Sequence, residues 1–170
     1  MFEARIPELN LSFPFGIGQI KVEITEQQKN AAWQLYVELA TRISSVPLEH
    51  GTGSAREALS SLHSLFECVR LILRTSGPLT AQGEGSMASI AINILNKGIR
   101  PFLVKWHTKL GDFEAREKLR LAKDFGGNHT LPPDENNWPD SQEFYNELEQ
   151  TRAALSQYVI LLANIAGTKI

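Results

Sequence analysis

Cysteine is nearly missing from this chain: Cys68 stands alone. One thiol cannot close an intramolecular disulfide, and there is no cysteine cluster to hold zinc. A reducing compartment is the simplest expectation. Long apolar runs are lacking as well. The longest, Tyr158 to Ala166, is interrupted by Asn164 and falls well short of the ~20 residues a membrane span requires. Residues 1–16 carry Glu3 and Glu8 and no basic stretch leading into an apolar run, unlike a signal peptide. The expected location is cytoplasmic, without membrane contact. Neither sign of charge dominates, the net being −2. That argues against a dedicated nucleic-acid coat and leaves room for a local basic patch.

Familiar catalytic signatures are scarce too. His50, His63, His107 and His129 are scattered, and no Glu-x-x-His pair of the di-iron bundle type occurs. Gly16-Ile17-Gly18 lacks the third glycine of a phosphate-binding loop, and no Gly-x-Ser-x-Gly elbow is present. The sequence therefore leads to no expected metal and no expected cofactor. Cys68, between Phe66 and Val69, reads as a small packed hydrophobe.

What the chain does contain is helical periodicity. Its 170 residues suffice for one domain with its own core. Thr25-Glu26-Gln27-Gln28 and Ser54-Ala55-Arg56-Glu57 have the form of capping boxes, and Asp140-Ser141-Gln142-Glu143 has a related form. Each precedes an amphipathic run. Trp33, Leu35, Tyr36 and Leu39 mark the first. Leu59, Leu62, Leu65, Phe66, Val69, Ile72 and Leu73 mark the second. Ser86 opens a third, with Met87, Ile90, Ile94 and Leu95, and Phe102, Leu103, Trp106 and Leu110 carry the same face onward. Phe144, Leu148, Thr151, Leu155, Tyr158, Val159 and Leu162 form the last stripe, and Gly167 is a natural C-cap. The expected main helices span 25–46, 54–75, 86–111 and 140–166. Pro101 should kink or restart the third, because it lacks an amide donor and disfavours helical geometry at Arg100. Residues 77–86 read as an exposed loop, and Phe113 to Lys123 as a candidate short charged helix.

Residues 1–24 follow another rule. Leu9, Leu11, Phe13 and Phe15 alternate with polar residues or proline, and Ile20, Val22 and Ile24 alternate with Lys21 and Glu23 beyond a glycine-rich turn. Period-two alternation around such a turn predicts a β-hairpin arm. The expected fold is a single all-α domain, a four-helix up-and-down bundle carrying a small N-terminal hairpin.

Two features could carry function. Arg100 and His107 are separated by six residues, which places both on one helix face. Arg56 and His63 repeat the spacing. The Arg100–His107 element resembles the Arg-x6-His motif of the HEPN ribonucleases, which are also small helical bundles. That resemblance implies a metal-independent ribonuclease acting across a dimer interface. In it, His107 would move the proton of a ribose 2′-hydroxyl and Arg100 would steady the phosphate. The same pair also reads as a solvated arginine and a histidine flanking the core position Trp106. The second feature is charge segregation. Lys97, Arg100, Lys105 and Lys109 lie in a stretch without acids, whereas Asp134, Glu135, Asp140, Glu143, Glu147 and Glu149 lie in one without bases. Charge pairing between neighbouring helices is one reading, and a basic surface for phosphate or an acidic partner is the other.

Residues 57–66, Arg70 to Arg74 with Gly77-Pro78, and Leu95 to His107 are similar to segments of small bacterial helical proteins of no assigned activity. The resemblance implies a bacterial origin and, by association, a place in antiphage or other conflict systems. The leading expectation is a non-enzymatic interaction module or accessory subunit that binds another protein or itself. A HEPN-like ribonuclease and a nucleic-acid-binding helical protein are the alternatives.

Overall fold

A computed structural model describes residues 8–13, 18–43, 54–82, 85–124 and 133–168. Four helical columns pack together. They are α1 (Glu26–Ile43), α2 (Ala55–Ser76), a third column built from α3 (Met87–Asn93), a π-helical segment (Ile94–Ile99) and α4 (Arg100–Asp124), and α5 (Ser141–Ala166). Backbone pairing joins β1 (Glu8–Phe13) antiparallel to β2 (Gly18–Glu23), with Leu9 opposite Val22 and Leu11 opposite Ile20. Of the expected turn Gly16-Ile17-Gly18-Gln19, Gly18 and Gln19 already belong to β2 and the rest, with the end of the first helix near Pro47, lies outside the described residues.

The apolar stripes turn inward. Leu35 and Leu39 of α1, Leu59, Leu65 and Val69 of α2, Ile94, Ile99, Trp106 and Leu110 of the third column, and Phe144, Leu155 and Leu162 of α5 are fully enclosed. Burying each such side chain contributes about 1.5–3 kcal/mol, so these stripes outweigh the capping interactions. Trp33 departs from expectation. It is 48% exposed, at the edge of the outer α1–α2 face beside Leu71. Aromatic side chains concentrate at the joint of α4 and α5. There the Trp106 ring meets Trp138 edge-on at 5.6 Å and Phe144 at 5.3 Å. Trp138, only 2% exposed, is supplied by the loop before α5.

Several local expectations change. The loop after α2 is not simply exposed. A 3-10 turn (Pro78–Ala81) buries Thr80, whose hydroxyl donates to the Gly77 carbonyl at 2.7 Å, and Gly85 and Ser86 are buried as well. The third helix does not end at 111. It continues to Asp124, absorbing the charged stretch considered as a separate short helix. At Pro101 the column restarts rather than ends, α4 beginning at Arg100 directly after the π-helical segment. The turn before Pro101 widens to the π pattern, in which the Arg100 amide donates to the Leu95 carbonyl. A widened turn draws the backbone away from the proline ring, which would otherwise press on the carbonyl four residues earlier.

Caps divide the same way. Thr25 Oγ1 accepts from the Gln28 amide at 3.2 Å, and the hydroxyls of Ser54 and Ser86 accept from Glu57 and Ser89. Asp140 occupies the N-cap of α5 but makes no side-chain cap, because its carboxylate is drawn to Lys109 at 3.1 Å. Gly167 ends α5 in left-handed geometry (φ 74°), with the Thr168 amide donating to the Ala163 carbonyl at 3.0 Å.

Candidate functional site

Helix α2 carries Arg56, His63 and Arg70 seven residues apart, and α4 carries Arg100, His107 and Glu114 at the same interval. Seven residues are nearly two helical turns, so each trio forms one row. The rows meet with opposite chain direction. Arg56 pairs with Glu114 through two bonds, Nε–Oε1 at 3.0 Å and Nη2–Oε2 at 2.5 Å. His63 and His107 meet edge to face at 5.9 Å between ring centroids. Arg70 and Arg100 both lie over the Phe66 ring, at 5.7 and 5.6 Å. Successive rungs therefore hold an ion pair, two imidazoles in contact, and two arginines that share the Phe66 ring.

The last two rungs open into a groove of about 450 Å³. Phe66, Leu103 and Val104 give it an apolar wall, with Glu67 and Thr108 at the margin. Val104 is 67% exposed. Glu67 accepts from Arg70 at 3.3 Å within the same helix. Among the described residues Arg100 faces no carboxylate, and the Phe66 ring is its recorded partner. Two guanidiniums over one ring are separated by at most about 11 Å.

His107 points its Nε2 inward, where the atom is buried without a hydrogen-bond partner. Burial, with the charges of Arg56 and His63 nearby, holds its pKa below the usual imidazole value. A neutral ring suits this position, since protonation would bury an unpaired N–H.

The remaining predicted basic residues fare differently. Lys105 reaches Glu143 at 2.7 Å and Glu147 at 2.5 Å, and Lys109 reaches Asp140 at 3.1 Å and Glu143 at 3.5 Å. Both ammonium groups also sit over the Trp106 ring, at 4.5 and 4.9 Å. Hydrogen bonding to Lys105 holds the Glu143 carboxyl below the ordinary range. Lys97 stays exposed beside Pro101. Of the four basic residues, then, Arg100 alone lines the histidine groove, and Lys105 and Lys109 are occupied by α5.

Sequence reasoning linked Arg100 to His107 but missed Arg70 and the meeting of His63 with His107. The signal was the repeated interval of seven along α2, which marks a shared face but does not say which helix it faces. A smaller cavity of about 80 Å³ lies among α1, α2 and α5, lined by Arg42 and Arg152. Those cations pair with Glu38 and Glu149, so it offers less free charge. Among the described residues no group of three His, Cys, Asp or Glu could hold a metal, and no helix is long and apolar enough to cross a membrane. Comparison with protein-family models, with curated proteins and with solved structures finds no match to this chain.

Proposed function

We propose that the protein is a non-enzymatic interaction module of up-and-down bundle topology, an accessory subunit in a bacterial assembly that docks on another protein or on a second copy of itself. The supporting observation is the outer face of α1 and α2. Trp33, Val37 and Leu71 line one groove of about 430 Å³ there, Trp33 being 48% and Leu71 55% exposed. Trp33 stacks on Tyr36 at 5.4 Å, which holds the indole in place without covering it. Clustered large apolar groups left in water are characteristic of surfaces that bury them on association. Native mass spectrometry at micromolar concentration tests the reading. The expected result is a dimer or hetero-complex that the double variant Trp33→Glu, Leu71→Glu dissolves. A monomer without a partner, behaving identically in the double variant, overturns it.

A HEPN-like metal-independent ribonuclease is the second reading, favoured by Arg100 and His107 sharing one groove with His63. Incubation with total RNA beside His107→Ala checks it, and cleavage that does not depend on His107 removes it. Direct nucleic-acid binding through Lys97, Arg100, Lys105 and Lys109 is favoured less, since two of the four already face carboxylates. It predicts strongly salt-dependent association.

A further inference from the structure

We propose that the α2–α4 groove is a binding site for a nucleotide phosphate ester, complete within one chain, with Arg70 and Arg100 holding the phosphate and His63 and His107 beside it. The argument begins with the unbalanced rung. At one end of the facing rows Arg56 is neutralised by Glu114, as an ordinary helix contact requires. About four turns further along the rows, Arg70 and Arg100 share a single ring in place of an ion pair. Glu67 offers Arg70 one exposed contact at 3.3 Å, and Arg100 has no carboxylate among the described residues. An exposed pair of that length is a weak contact. The pocket therefore carries cationic charge that the fold leaves uncompensated.

Guanidinium groups bind phosphate oxygens through paired N–H donors, so two of them over one wall match a phosphate better than a lone carboxylate. His63 and His107 line the same groove, where ring nitrogens not turned inward can add donors. Beside the charge the groove has apolar surface, chiefly the exposed Val104 with Leu103, while Phe66 lies beneath the guanidiniums. Cationic donors beside apolar surface suit a ligand with an anionic end and a flat hydrophobic body, which a nucleotide supplies. The volume of about 450 Å³ lies in the range of small-molecule sites. Resting Arg100 on Phe66 confines the guanidinium without consuming its N–H donors.

This site goes beyond the docking role of the α1–α2 face. The ribonuclease reading would use it, but binding without cleavage is sufficient here. The test follows the ring resonances of His63 and His107 by NMR while the full chain is titrated with adenosine 5′-monophosphate, tetrauridylate or inorganic phosphate. Saturable shifts at both rings are expected with the two nucleotide probes, with inorganic phosphate about tenfold weaker for want of a base. Arg70→Gln and Arg100→Gln should each weaken binding about tenfold, the loss expected for a charged hydrogen bond. Both arginines are exposed and their contacts are weak, so the variants should keep the wild-type circular dichroism and melt close to the parent. Absence of saturable shifts with either nucleotide overturns the proposal. So does inorganic phosphate matching adenosine monophosphate, or an unchanged response in the double arginine variant. Nucleotide binding without RNA cleavage would retire the ribonuclease reading and leave this site standing.

Discussion

Protonating His107 would place a charge against Arg56 and His63 and strand a buried N–H. Its pKa in the folded chain therefore lies below the ordinary 6.5. Once the pH falls under that value, the unfolded chain binds more protons at this position than the folded one. The stabilisation is thus complete above pH 6.5 and is lost on acidification toward the folded value. Denaturant midpoints at pH 7 and pH 5.5 should show part of this loss in the parent and less of it in His107→Gln. Equal losses in the two proteins would refute the assignment. Trp106 is the other decisive residue. Its ring is enclosed, its Nε1 donates to Glu147 at 2.9 Å, and two lysines cover it. Trp106→Ala should cost about 3–5 kcal/mol in urea unfolding. Phenylalanine there should cost less, because Lys105 still engages Glu147.

At the level of elements, the clearest device is the start of α2. The Glu135 carboxylate accepts from the Ala55 amide at 2.5 Å, the Arg56 amide at 3.2 Å and the Ser54 hydroxyl at 2.9 Å. It comes from a 3-10 turn (Glu135–Asn137) far along the chain and answers the unpaired amides and positive end of the helix. Glu135→Ala should lower stability by about 1–2 kcal/mol. Glu57→Ala should change it by less than about 0.5 kcal/mol, although Glu57 is the acidic residue of the sequence motif, because its exposed side chain makes no reciprocal bond among the described residues. Equal effects on the urea midpoint would contradict this division. Half of the motif was legible: Ser54 caps as its spacing implies. The other half was supplied from a distance. Pro101 was legible as a disturbance in the third helix, but the widened turn that absorbs it depends on the packing of Ile94, Leu95, Gly98 and Ile99 in the core.

At the level of the molecule, the three tryptophans report on different surroundings. Trp106 and Trp138 are enclosed, whereas Trp33 lies on the outer face of α1. Acrylamide should quench a distinct fraction of the fluorescence, and Trp33→Phe should remove that fraction. If the α1–α2 face is covered in an oligomer, dilution to the monomer should restore quenching to a protected Trp33. The four ion contacts joining Lys105 and Lys109 to α5 and its N-cap are half-exposed and contribute little to stability. They fix which helix lies beside α4 more than they hold the bundle together. The opposite charges of the two stretches were visible in the chain, and their meeting follows once α4 and α5 run side by side.

Local and periodic information determined where the helices begin and which of their faces are apolar. Capping and the interval of 3.6 residues act within a few turns, so Thr25, Ser54, Ser86 and Gly167 could be read directly. Which faces meet was decided only by the packed bundle. The sequence alone placed Arg56, His63 and Arg70 on one row and Arg100 and His107 on another. Packing those rows against each other is a long-range choice made by the buried stripes, and it created the histidine pair and left Arg100 facing a ring in place of a carboxylate. Trp138 and Glu135 belong to the same class. Each lies in a stretch without periodicity, and each takes its role from a helix distant in sequence, because a core and a helix terminus accept any side chain that the fold brings within reach.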